Sequence, residues 1–336
     1  MRSLCRRLGL CMALMILFAF LVVVNTLGMK SGANGGAGIA DPVYLKDYSL
    51  AGLPDSEESR MVRLGYEIFR NTPEYLGPDR AEPGMGLAGN RLACANCHLD
   101  AGTRPFAAPL IGVVQRFPQY RGRENKIGTL EERINGCMER SMNGSRLPGD
   151  SPAMRAMLSY LDWLSRYAPE DGSIQGQGFP KLEIPDRAVS LEHGARVYAM
   201  QCAVCHGADG QGRPAGSGPG YLYPPLWGAD SYNNGAGMTR VLTAAAFIKG
   251  NMPYGTRFDR PLLSDEEAYD VAGYINSQER PEKMHREADF PDLTKKPVST
   301  PYGPYSDGFS ESQHRLGPFQ PIMAYYKQTY NITKTN

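Results

Sequence analysis

The chain is expected to be all-α, with two small helical domains in tandem and an irregular tail that wraps them. Three observations lead there. Cys94-Ala95-Asn96-Cys97-His98 and Cys202-Ala203-Val204-Cys205-His206 repeat one pattern 108 positions apart. A stretch with apolar residues at helical spacing precedes each copy, and a helix with a clear N-terminal cap follows each at a distance. In a CxxCH segment the two thiols reach the vinyl edges of one porphyrin and the imidazole meets its iron, so each copy marks a covalently held c-type haem. A CxxC zinc site or a thioredoxin-like motif calls for no His directly after the second Cys.

Taken in order, residues 1–40 open with Arg2, Arg6 and Arg7 and an apolar run from Met12 to Val24. That is the layout of an export signal, which places the protein in the periplasm, where c-type haem is attached. No A-x-A site follows, and Leu8 to Leu27 is just long enough to span a bilayer, so both a cleaved signal and a retained anchor fit. Gly-rich residues 31–38 read as a linker. The first domain, 45–168, starts with a helical pattern at Met61, Leu64, Ile68 and Phe69 and reaches its haem motif through a Pro- and Gly-rich loop. Thr129 and Glu132 form a capping box for a short helix from Leu130 to Met142, ended by Asn143-Gly144. Asp150 or Ser151 then caps a helix with Pro152 in its first turn and Met154, Met157, Leu158, Leu161 and Leu164 on one face. Residues 168–186 read as a connecting segment.

The second domain, 186–283, opens with Leu191, Ala195, Val197 and Tyr198, and Cys202 follows almost at once. It closes with a Ser264/Glu267 capping box ahead of Ala268, Val271, Ala272 and Ile275. Leading helix, CxxCH, loops, distal ligand and closing helix is the order of class I cytochrome c domains. Residues 284–336 turn to Pro, Gly and Tyr without periodicity. Their Phe290, Tyr302, Tyr305, Phe309, Phe319 and Tyr325 carry too much aromatic surface to stay in water, so an irregular but ordered wrapping is expected.

At 336 residues and net charge +1 the chain has material for about two domains, and nothing global points to nucleic acid or a membrane surface. Of seven cysteines, Cys94, Cys97, Cys202 and Cys205 belong to the motifs and Cys5 and Cys11 to the leader. Cys137 is left alone, without an obvious disulfide partner.

The iron held by His206 is offered Met252, in Asn251-Met252-Pro253, 46 residues on. A Met ligand raises the potential and suits outer-sphere electron transfer. Lys249 is a minority alternative, as a deprotonated amine. No Met-Pro motif serves the iron of His98. The short helix presents Cys137 instead, 39 residues after His98, with Arg133 and Ser141 above and below it on one face and Arg140 beside them. Met138 points about 100° away with Leu130, Ile134 and Met142, toward the core. Gly136 is expected to let the backbone approach the porphyrin. The plain alternative for Cys137 is a buried, inert thiol. From Arg116 to Arg146 seven basic residues face four acidic ones, a local excess in a balanced chain. A thiolate beside guanidinium groups is nucleophilic and suits a small sulfur anion. Two dianions at about 4 Å repel by roughly 4 kcal/mol in water, so a site that couples them needs fixed positive charge, which Arg supplies bidentately.

The segments Tyr120-Arg121-Gly122-Arg123, Leu130 to Gly144 with Cys137 at its centre, Lys249-Gly250-Asn251-Met252-Pro253, and the tail stretches Pro301-Tyr302-Gly303-Pro304-Tyr305 and Gln313-His314 before Gly317-Pro318-Phe319 resemble the dihaem c-type thiosulfate dehydrogenases, also called tetrathionate reductases. The likeness runs from about residue 45 to 325. It implies two covalently bound haem c groups: one held by Cys94, Cys97 and His98 with Cys137 as distal ligand, and one held by Cys202, Cys205 and His206 with Met252. It also implies substrate contacts at Arg123, Arg133 and Ser141. Some members place Lys directly before the distal Met as a switching ligand; here that position is Asn251, which argues against switching.

The expected function is interconversion of thiosulfate and tetrathionate at the first haem, with electrons relayed through the second to an external acceptor or donor such as a small cytochrome c. The alternatives are a dihaem electron carrier without substrate chemistry, and a haem peroxidase or gas sensor with an open coordination site.

Overall fold

The computed structural model describes residues 42–80 and 86–335, and from Pro42 onward the chain forms one compact unit. The export segment and linker expected over residues 1–40 lie outside the described residues. No helix among the described residues is long and apolar enough to cross a membrane.

Local capping chemistry sets most helix starts. Helix α1 (Glu57–Arg70) begins at Ser56, whose hydroxyl accepts from the Ser59 N–H. Helix α2 (Leu130–Arg140) has the Thr129/Glu132 box, and α3 (Pro152–Ser165) is capped by Ser151, with proline in its first turn. In the second half, α4 (Leu191–Gln201) is capped by Ser190, α5 (Val241–Asn251) follows a short 3₁₀ turn, and α6 (Asp265–Ser277) has the Ser264/Glu267 box. Each box satisfies two backbone donors that a helix start would otherwise leave open. Two small antiparallel ribbons complete the frame. Strand β1 (Gln119–Arg121) pairs with β2 (Lys126–Gly128), Tyr120 opposite Ile127, and β3 (Arg213–Pro214) pairs with β4 (Tyr221–Tyr223).

The same crossing is built twice. Helix α1 packs on α3, and α4 on α6. A Cβ on Gly65 would sit 2.0 Å from the Ala156 carbonyl oxygen and 2.7 Å from Tyr160 Cβ; on Gly194 it would sit 2.2 Å from the Asp270 oxygen and 2.8 Å from Tyr274 Cβ. Backbone therefore touches backbone at both crossings, which only glycine permits. Gly194→Val should drive α4 off α6 and destabilise the protein by about 3 kcal/mol. Chemical denaturation of the haem-loaded protein reads this out, and an unchanged midpoint would refute the close crossing.

Two apolar cores result, and they exchange residues. The first gathers Ile68, Phe69, Met138, Met154, Tyr160, Leu161 and Leu164, together with Tyr232 and Ala236 from the second half of the chain. The second gathers Val197, Tyr198, Trp227, Ala245, Val271 and Ala272, together with Ala107 from the first half. The connecting segment takes part as well: Gly176 and Gly178 carbonyls accept from the Phe106 and Ala108 N–H groups, and Phe179, Leu182 and Ile184 pack on the second core.

The tail corrects one expectation. Beyond two 3₁₀ turns it is irregular only as far as Ser310, which caps helix α7 (Glu311–Leu316); helix α8 (Gln320–Tyr330) follows with proline in its first turn. Phe319, Ile322 and Tyr326 make a helical stripe and are fully buried in the second core. The stripe is largely aromatic and hedged by prolines, so its period does not stand out from composition. His314 is buried, its Nδ1 2.7 Å from the Val298 carbonyl and its Nε2 3.0 Å from Asp307 Oδ1, which holds α7 to the rest of the tail.

Candidate active site

The first CxxCH motif lies on a tight turn after Ala93. His98 Nδ1 is 2.6 Å from the Ala108 carbonyl, so that nitrogen carries the proton and Nε2, without a partner among the described residues, is free to bind a metal. Burial pushes the His98 imidazole down to about 4, which keeps it neutral and fit for ligation. Cys94, Cys97 and His98 line a cavity of about 1320 Å³, including its open mouth, with Phe69, Met157, Leu161, Met138 and Tyr232 among its apolar walls. A largely apolar space with two thiols and an imidazole on its wall fits a covalently attached haem. Cys137 lines the same cavity, so its sulfur could serve as a second ligand to a metal held there.

Cys137 also lines a second, polar cavity of about 840 Å³, its open mouth included, as do Arg133 and Ser141. This residue set thus forms the partition between the two spaces. Arg133 Nη1 donates to Cys137 Sγ at 2.6 Å, the one-turn pairing that the sequence spacing implies. The sulfur next to it raises the Arg133 guanidinium above its ordinary value, more than burial lowers it. Gly136 faces the polar cavity: a Cβ there would meet Arg140 Nη1 at 3.4 Å and Arg121 Nη2 at 3.8 Å. Those are ordinary contacts; Gly136 lines the arginine pocket and not the apolar cavity where a close approach to the porphyrin was expected.

The polar cavity is built by parts far apart in sequence. The ribbon β1–β2 supplies Arg121 and Arg123, α2 supplies Arg133, Cys137, Arg140 and Ser141, the second half supplies Gly237 and Arg240, and the tail supplies Phe290. Asp289, 5 % exposed, accepts from Arg123 Nη1 and Arg140 Nη2 at 2.6 Å each and from the Tyr302 hydroxyl at 2.8 Å. Burial alone would raise its carboxyl, but Arg123 and Arg140 outweigh that and hold it below the usual carboxylate range. Arg123 also engages the Gly235 carbonyl and lies 4.9 Å over the Phe290 ring. Arg121 is paired with Glu124 at 2.9 Å. The Ser141 hydroxyl has no hydrogen-bond partner among the described residues, so it is available to a ligand. Five arginines against Glu124 and Asp289 leave the pocket strongly positive.

In the second half, His206 Nδ1 lies 2.8 Å from the Pro224 carbonyl, again leaving Nε2 for a metal. Met252 leaves the end of α5 in extended backbone and packs with Cys202 against the second core. Lys249 is committed elsewhere: its Nζ meets Asp265 Oδ1 at 2.5 Å. The Asn251 amide donates to the Phe106 carbonyl and to the Phe247 carbonyl, both at 3.0 Å. It thereby ties the residue before Met252 to the loop whose Ala108 orients His98.

Over 258 residues the chain is 41 % identical to the thiosulfate dehydrogenase of Stutzerimonas stutzeri, covering 77 % of this chain and 78 % of that protein. With the thiosulfate dehydrogenase of Allochromatium vinosum it shares 45 % identity, covering 68 % of this chain and 82 % of the relative. The chain belongs to the thiosulfate dehydrogenase family. Residues 87–169 match the family model "SoxA/TsdA, cytochrome c domain" and residues 191–279 match "Cytochrome c", so the chain carries two tandem cytochrome c domains with two covalently bound haems. A solved thiosulfate dehydrogenase, TsdBA from Marichromatium purpuratum in its as-isolated form, superposes with a TM-score of 0.63 at 41 % identity. The match covers 70 % of this chain, which spans about half the length of that one.

Helical spacing singled out Arg133, Cys137 and Ser141, the family resemblance added Arg123, and the fold brings all four to one pocket. Asp289, Phe290, Tyr302 and Arg240 escaped it. The aromatic density of the tail was the one available signal for the first three; for Arg240, at the start of an apolar helix, there was none.

Proposed function

We propose that this protein interconverts thiosulfate and tetrathionate, with Cys137 as the reacting group. The observation that carries this reading is the placement of one sulfur on the shared wall of an apolar cavity bearing CxxCH and a polar pocket lined by five arginines. When bound, the two haems supply one-electron redox centres that take up or deliver the two electrons of the reaction. His98 and Cys137 would hold the first, and His206 and Met252 the second. Thiosulfate enters the arginine pocket as a dianion, where Arg123, Arg133 and Ser141 fix its sulfonate by charge-assisted hydrogen bonds. The Cys137 thiolate forms an S–S bond to the outer sulfur, and this step gives up two electrons. The terminal sulfur of a second thiosulfate then attacks that adduct at its outer sulfur; tetrathionate leaves and the thiolate returns. Fixed positive charge is what lets two dianions meet.

Met200 and Val204, beside and within the second attachment motif, and Tyr254, two residues after Met252, are exposed apolar residues, 68 %, 66 % and 91 % accessible. They support docking of an external redox protein there, a small cytochrome c in the periplasm being the acceptor or donor we favour, with the leader serving export or anchoring.

The test is a steady-state assay of the haem-loaded protein with thiosulfate and ferricyanide. The expected result is one tetrathionate per two ferricyanides reduced. A fully loaded protein that reduces no ferricyanide with thiosulfate would be an electron carrier instead.

A further inference from the structure

The pocket's positive charge is not evenly available. Arg121 is matched by Glu124, Arg123 and Arg140 share Asp289, and Arg133 is matched by the Cys137 sulfur. Arg240 differs: no carboxylate among the described residues pairs with it, and its Nε donates to the Gly237 carbonyl at 3.3 Å. Burial, with Arg123 and Arg133 nearby, pushes its guanidinium down to about 10, so it stays charged at neutral pH. An enclosed cation among other cations is costly in the empty protein and becomes favourable once an anion arrives.

We infer that Arg240, reaching the pocket from the second cytochrome domain, is a substrate-binding residue that holds a sulfonate group of the anion reacting at Cys137. The inference rests on the function proposed above. It means that the anion site is completed by the domain that relays electrons. Arg240 directly precedes α5, and Met252 directly follows it. One helix is therefore flanked by Arg240 in the anion pocket and by Met252, the sulfur proposed to hold the second haem.

Arg240→Gln should raise the KM for thiosulfate at least tenfold, leaving both haem spectra unchanged. Tetrathionate added to fully oxidised protein, where it cannot be reduced, should raise the melting temperature of the wild type and not that of Arg240→Gln. In the absence of anion the variant should melt no lower than the wild type, because a half-buried charge with no carboxylate partner has been removed. Arg240→Lys should recover part of both effects. Wild-type KM and an undiminished tetrathionate shift in Arg240→Gln would overturn the assignment while leaving the reaction in place, and so would a lowered melting temperature with unchanged KM. A wild type that neither oxidises thiosulfate nor is stabilised by tetrathionate would overturn both.

Discussion

A Cys137→Met protein should carry both haems and still lose thiosulfate turnover by at least about a thousandfold, the scale of losing a covalent nucleophile. Methionine keeps a sulfur that can face the first haem cavity, so the substitution separates ligation from chemistry. A thioether has no thiolate to form an S–S bond and, being uncharged, accepts only weakly from Arg133, which meets the native sulfur at 2.6 Å. The measurement is turnover with ferricyanide, alongside haem content and chemical reduction of both haems by dithionite. Reduction should be retained and turnover lost. Undiminished turnover in a fully haem-loaded variant would show that Cys137 does not react and that the arginine pocket serves another purpose.

Asp289→Asn should be the most damaging change away from the reacting sulfur. The buried carboxylate joins Arg123, Arg140 and Tyr302, and so ties the ribbon β1–β2 and helix α2 to the tail. Neutralising it leaves Arg123 without a carboxylate and Arg140 with only Glu124 at 4.0 Å, at a cost of about 3 kcal/mol. The pH dependence has a definite sign. Because the Asp289 carboxyl is held below its ordinary value, its stabilisation is fully present above the usual carboxylate range near pH 4 and is lost as pH falls through the lower folded value. The gap in stability between wild type and variant should therefore be widest at neutral pH and close in acid. Denaturation midpoints between pH 7 and pH 2.5 check this; a gap that is absent at pH 7, or that widens in acid, contradicts the proposed pairing.

What was legible in the chain was local. The attachment motifs, the Thr129/Glu132 and Ser264/Glu267 boxes and the Ser151 cap involve residues three or four apart, so spacing alone reveals them. The Arg133–Cys137–Ser141 face is legible for the same reason: one helical turn relates its members. Partners that meet through topology were not legible. Asp289 is 149 residues from Arg140 and 166 from Arg123, and no periodicity connects them. The glycines at the two helix crossings were equally silent, because their meaning lies in the helix on the other side. Helix α8 was masked by its own aromatic composition.

Ala107 sits in the second core, Tyr232 and Ala236 sit in the first, and Asn233 donates to the Glu139 carbonyl while Asn90 donates to the Ser231 carbonyl. Two modules of like plan are thus sewn into one fabric. Neither half can be cut out, swapped for a relative's or evolved alone without unpicking the other.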